Sequence, residues 1–192
     1  MLSQITEFSP LASQTVLRHL GILAMIYLGV VAQCSVVPTE THGLGHPFLP
    51  AMMLVLIAAT CHPTAAILWA GTLGFVLDGL STERLGIQLG LAALLALGMQ
   101  MTHALWRSRR VVPLVAMTML VCVAWRTLSP MVQAVLAGRV VDPHFIVTNA
   151  VQDAAWTALV AGLLLLGRRL IGLSDSEVDV ATPAGRWSPV VR

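Results

Sequence analysis

Residues 63–110 read PTAAILWAGTLGFVLDGLSTERLGIQLGLAALLALGMQMTHALWRSRR. An apolar run from Thr64 to Leu80 holds one ionisable side chain, Asp78, and a second run from Gly86 to Trp106 holds none except His103. The second run ends on Trp106 against Arg107, Arg109 and Arg110, an aromatic and basic boundary of the kind found where a helix leaves a bilayer. Each run is close to the roughly 20 residues that a helix needs to cross a hydrocarbon core about 30 Å thick. A short polar connection joins them, so the stretch reads as a transmembrane helical hairpin.

The rest of the chain continues the pattern. Of 192 residues 57% are hydrophobic and only 10% are charged, against about 25% charged in soluble domains, and mean hydropathy is +0.83. Further spans are expected at about 20–37, 48–61, 111–136 and 145–166, beside 64–80 and 86–106. Span two stops at His62-Pro63, where proline disfavours helix in the residue before it. The fold class is therefore an all-α integral membrane protein, a bundle of six transmembrane helices over residues 1–170. From 171 to 192 the chain turns polar, with Asp175, Glu177 and Asp179, and too little apolar surface to offset ordering entropy. That segment is expected to be a flexible cytoplasmic tail.

Arginine placement sets the orientation, because basic loops stay in the cytoplasm. All 11 basic residues are Arg. With an inside N-terminus, Arg18, Arg107, Arg109, Arg110, Arg168 and Arg169 face the cytoplasm, while only Arg84 and Arg139 face outward. Both termini are thus expected in the cytoplasm, with the chain multi-pass in a bacterial inner membrane. The segment Val-Ala-Gln-Cys at 31–34 loosely resembles a lipoprotein cleavage site, but Gln33 stands where a small residue is needed, so the first helix reads as uncleaved.

Composition and motifs also exclude functions. No basic run is long enough to track a phosphate backbone, which argues against nucleic-acid binding. Cys34, Cys61 and Cys122 are too far apart for a metal-binding spacing or a disulfide framework and read as small buried apolar residues. His42 and His46, alone in a glycine-rich loop, read as solvated rather than metal-binding. No nucleophile triad, phosphate loop or nucleotide fingerprint is present. The expectation is a protein that is not an enzyme and uses no cofactor or metal.

Charges inside spans are costly and should find partners in the bundle interior. At 1.5 Å per residue, Asp78 lies about 21 Å and Arg126 about 22 Å above the cytoplasmic side, and Asp153 about 18 Å. This common level predicts a polar network of Asp78, Arg126 and Asp153, with Gln88, Gln133, Asn149 and Gln152 as further hydrogen-bonding groups. It would either join helices or serve a partner surface or ligand cavity. Asp78 also nears the C-terminal end of its helix, where the dipole disfavours a carboxylate, so Arg126 or Arg84 is its expected counterion. Gly71, Gly74 and Gly79 punctuate span three, and Gly86 and Gly90 open span four. Small residues let helix backbones approach closely, within the bundle or against another protein's helix. Ala161 is expected to face lipid.

The segment Gly71-Thr-Leu-Gly74-Phe75-Val-Leu-Asp78-Gly-Leu-Ser81-Thr-Glu-Arg-Leu85-Gly86 resembles the MreD family of bacterial rod-shape-determining membrane proteins. The third span of that family typically reads Gly-Phe followed by Gly, an Asp, a Ser and then Leu-Gly. Here Thr82 follows Ser81 where Gly is common, and Gly79 follows Asp78 where an apolar residue is common. The resemblance extends over about residues 15 to 170, including Asn149 in the last span and the Arg pair that closes it. It implies a non-enzymatic scaffold of the complex that directs lateral peptidoglycan synthesis and cell shape. The implied partners are MreC, the actin-like MreB, RodA and its penicillin-binding transpeptidase, and the lipid bilayer. It marks Gly71, Gly74, Phe75, Asp78, Ser81, Leu85, Gly86 and Gly90 as motif residues for helix packing or partner docking. The family's bundle is also similar to the substrate-binding components of energy-coupling-factor vitamin transporters, which gives the alternative function.

Overall fold

The computed structural model describes residues 10–36, 45–81, 85–102, 111–140 and 142–170. Six helices lie among them: α1 (Pro10–Val36), α2 (Leu49–Thr60), α3 (Pro63–Leu80), α4 (Ile87–Met101), α5 (Val111–Ala137) and α6 (Pro143–Leu170). Arg84, His42, His103, the Arg107 to Arg110 cluster and the tail from 171 lie outside the described residues.

Three of the helices are long and apolar enough to cross a membrane: Pro63–Leu80, Val111–Ala137 and Pro143–Gly167. His19–Ser35, Leu49–Thr60 and Ile87–Met101 are apolar but shorter. Helix α2, at 12 residues, is only about 18 Å long. It is the element around which the others pack, touching α1, α3, α4, α5 and α6. Ala51, Leu54, Val55, Ile57 and Ala58 are all fully buried. A helix that is apolar on every side is expected to be surrounded.

The remaining helices form two hairpins, α3 with α4 and α5 with α6, which meet along α4 and α5. Alanines fill the contacts: Ala66, Ala70, Ala92, Ala96 and Ala154 have no exposed surface, so backbones approach closely where lipid offers no hydrophobic drive to helix association. Outward faces carry large aliphatic side chains, among them Leu20, Leu68, Leu94, Val135 and Leu163. An exposed apolar surface of this extent belongs against a membrane.

Local signals set the helix ends. Pro63 and Pro143 begin α3 and α6, where the missing N–H costs nothing. The Asp142 side chain accepts from the His144 backbone N–H at 2.9 Å, capping α6. Helix α5 ends at Gly138, whose φ of +62° is the left-handed conformation that glycine takes without strain. Helix α1 starts at Pro10, ten residues before the apolar span begins, because the preceding polar residues are also helical. Two expectations are corrected. Cys34 is exposed rather than buried, while Cys122 is buried and Cys61 lies between. Ala161 is 2% exposed and faces the bundle, not lipid, since it continues the buried register of Ala150, Ala154 and Thr157 on α6.

Candidate functional site

The motif residues form a latch that holds the α3–α4 hairpin. A Cβ on Gly74 would lie 2.5 Å from both the Gln88 carbonyl oxygen and the Leu89 Cα, so α3 and α4 cross with backbones in contact there. One turn later Asp78, 1% exposed, turns its carboxylate onto the start of α4. Oδ2 accepts from the backbone N–H groups of Gly86 at 2.9 Å and Leu89 at 3.0 Å, and Oδ1 from that of Gln88 at 3.0 Å. The first N–H groups of a helix have no partner within the helix and carry its positive partial charge. A carboxylate supplied by the preceding helix satisfies both needs. Gly86 adopts φ +98° to turn its N–H towards Asp78, and Ser81 Oγ donates to the Asp78 carbonyl at 3.1 Å.

This arrangement changes the expected network. Among the described residues Asp78 makes no ion pair with Arg126; its neutralising partners are three backbone dipoles. The dipole that opposes it at the end of α3 is offset by the one that favours it at the start of α4. Among the motif glycines close approach is confined to Gly74, whereas a Cβ on Gly71, Gly79, Gly86 or Gly90 would meet nothing within 4 Å. Phe75 and Leu85 point outward, 63% and 77% exposed.

A second unit joins α5 and α6. Arg126 and Asp153 form an ion pair, in which Arg126 Nε donates to Asp153 Oδ2 at 2.6 Å. The other carboxylate oxygen accepts from the His46 backbone N–H at 3.0 Å. Thr157, one turn further along α6, accepts from the Phe48 N–H at 2.8 Å, and Gln33 of α1 accepts from the Leu49 N–H at 2.8 Å. Side chains of α1 and α6 therefore satisfy the entry into α2. The guanidinium also lies over the Phe48 ring, 5.6 Å from its centroid, a favourable cation–π distance.

Gln88 connects the two units. Its backbone N–H is held by Asp78, its Oε1 accepts from Trp125 Nε1 at 2.7 Å, and its Nε2 donates to Ser129 Oγ at 2.9 Å. Gln133 Nε2 reaches the same hydroxyl at 3.3 Å. Among the described residues, no buried side-chain nitrogen or oxygen lacks a partner. Trp125, Ser129 and Thr157 were not singled out in the sequence. Their signal was periodic: Trp125, Ser129 and Gln133 recur every fourth residue on one face of α5, as Asp153 and Thr157 do on α6.

Between the hairpins, where the α3–α4 and α5–α6 turns lie, a cavity of about 380 Å³ is lined by Gln88, Arg126, Ser129 and Asn149, with Phe48 and Trp125 among its apolar walls. Pro130 also lines it. Having no N–H, Pro130 cannot donate to the Arg126 carbonyl one turn earlier. Among the described residues the lining contains hydrogen-bonding groups, aromatic rings and one charge, but no paired carboxylates and no nucleophile beside a base. Such a lining offers donors and apolar surface to a bound group.

The architecture is that of a helical membrane protein built from two hairpins around a short central helix. The family model for rod shape-determining protein MreD matches residues 13–167, and the chain belongs to that family. Its role is accordingly in rod-shape determination, in a family of structural, shape-determining proteins and not of known enzymes. Comparison with curated proteins and with solved structures gives no match.

Proposed function

We propose that the protein is a six-span scaffold of the bacterial cell-elongation complex, residues 1–170 forming one inner-membrane domain with both termini cytoplasmic and 171–192 a cytoplasmic tail. In this reading it binds MreC, works with MreB, RodA and the penicillin-binding transpeptidase, and helps direct lateral peptidoglycan synthesis. The observation that carries the reading is the α3–α4 hairpin. It is fastened internally at Gly74 and Asp78, and it leaves an outward face of Leu68, Gly71, Phe75 and Gly79 on α3 and Gly90, Leu94 and Leu97 on α4. A rigid hairpin with an open, small-residue face is suited to receive a partner's transmembrane helix.

Gly90→Leu tests this better than a change at Gly86, whose positive φ would strain any other residue. A Cβ at position 90 meets nothing, so the variant should fold. It should lose copurification with MreC and fail to support controlled elongation, while Gly21→Leu on α1, equally open, should do neither. An intact MreC complex with folded Gly90→Leu would reject this docking surface. The alternative, a substrate-binding component of an energy-coupling-factor vitamin transporter, is favoured only by the cavity. Copurification with ATP-driven transporter subunits in place of MreC would support it.

A further inference from the structure

The cavity between the hairpins differs from the latch and the ion pair in having polar groups to spare. Asp78 and Asp153 are both turned away from it. Asp78 is committed to three backbone N–H groups, and Asp153 is held by Arg126 on one oxygen and His46 on the other. Neither acid lines the cavity, and among the described residues Arg126 is the one charged residue that does.

The ion pair itself is asymmetric. The Asp153 side chain is 5% exposed and that of Arg126 40%, so the negative end is buried and the positive end faces the opening. Arg126 uses Nε and Nη2 on Asp153, which leaves Nη1 uncommitted. On α6, one turn before Asp153, Asn149 lines the wall and its amide has no hydrogen-bonding partner among the described residues. Two residues with donors to spare, on different helices and one of them cationic, thus line one space together with the aromatic rings of Phe48, Trp125 and Phe145. The volume lies within the range of about 300–1,000 Å³ typical of small-ligand sites.

We propose that this cavity binds a phosphate group, whose oxygens accept from Arg126 Nη1 and the Asn149 amide while the attached organic part lies against Phe48, Trp125 and Phe145. A guanidinium and a neutral amide donor suit phosphate, because charge-assisted hydrogen bonds are the stronger ones and a tetrahedral group offers oxygens in two directions. The phosphate comes from a lipid headgroup entering from the surrounding bilayer or from a soluble phosphate ester. The site is independent of the scaffold reading, since neither residue lies on the outward face of α3 and α4.

The test is titration calorimetry on the purified full-length protein in an uncharged detergent with three probes: dihexanoyl-phosphatidylglycerol, glycerol phosphate and phosphate-free dihexanoylglycerol. Saturable binding of phosphatidylglycerol, at least tenfold weaker in Asn149→Ala and in Arg126→Gln, is expected, with none for dihexanoylglycerol. Equal binding of glycerol phosphate would assign the soluble source, and its failure to bind the lipid source; both support a phosphate site. Because Arg126→Gln also breaks the pair with Asp153, Asn149→Ala, which breaks no internal bond, decides if the first fails to fold. The proposal is overturned if no phosphate probe binds, if dihexanoylglycerol binds as tightly, or if phosphatidylglycerol binding is unchanged in folded Asn149→Ala.

Discussion

Replacing Asp78 separates an internal latch from a partner contact. Its carboxylate, 1% exposed, accepts three backbone N–H groups, two on Oδ2 and one on Oδ1. A hydrogen bond to a charged group contributes about 1.5–3 kcal/mol, and a buried donor left alone costs about 1–3 kcal/mol. In Asp78→Asn the remaining carbonyl oxygen can keep Gly86 and Leu89, but the side-chain NH₂ then faces the Gln88 N–H, donor against donor. One bond is lost and one donor stranded, so a loss of about 2–3 kcal/mol is expected. Asp78→Ala strands all three donors, with an upper limit of roughly 9 kcal/mol that shrinks wherever water reaches the end of the hairpin. Equilibrium unfolding in mixed micelles, followed by helical circular dichroism, measures the totals. Hydrogen exchange at Gly86, Gln88 and Leu89 locates them, and Gln88 should accelerate most in the Asn variant. If Asp78→Asn were as stable as the parent, with slow exchange at all three amides, and yet failed to support elongation, the latch would be refuted and a partner contact indicated.

Arg126→Leu and Asp153→Asn should show a coupling of about 0.5–3 kcal/mol in a double-mutant cycle, as contacting residues do. Arg126→Leu with Asp78→Asn should be additive within about 0.5 kcal/mol, and strong coupling there would mean that the two acids share the arginine. Gly74→Leu should destabilise the bundle through contact with the α4 backbone whereas Gly71→Leu, with open space around it, should not; equal unfolding midpoints would contradict the close crossing. For orientation, cysteines at Gly43 and Val140, in a chain without its native three, should react with an impermeant thiol reagent from outside, and one at Ser176 should not. Labelling of the last from outside would rule out cytoplasmic termini.

Much of the helical pattern was legible because it depends on apolar run length alone. Helices α3 and α5 coincide with their expected spans to within a residue at each end. The central position of α2 was not legible, since a short apolar segment reads alike whether lipid or protein surrounds it. Nor was the early start of α1, because hydropathy marks where a helix enters an apolar medium and not where its hydrogen bonding begins.

The site was half legible, and the reason lies in the hairpins. Comparing depths placed Asp78, Arg126 and Asp153 at one level, which is necessary for contact but leaves open which way each side chain faces around its helix. Arg126 and Asp153 lie about equally far along the chain from the turn at Gly138, on antiparallel neighbours, and they pair. Asp78 and the start of α4 lie about equally far from the turn that follows Ser81, and they also meet. In each case the partner was found across the residue's own turn, because the short connection had already brought the two helices together. The sequence suggests a charged counterion for Asp78, since a buried carboxylate calls for a compensating positive charge. Three N–H groups at a helix start meet the same electrostatic need, and they were nearer in the chain than any arginine of the bundle interior. Arg126 was thereby left with one carboxylate instead of two, which is what leaves its Nη1 uncommitted at the cavity.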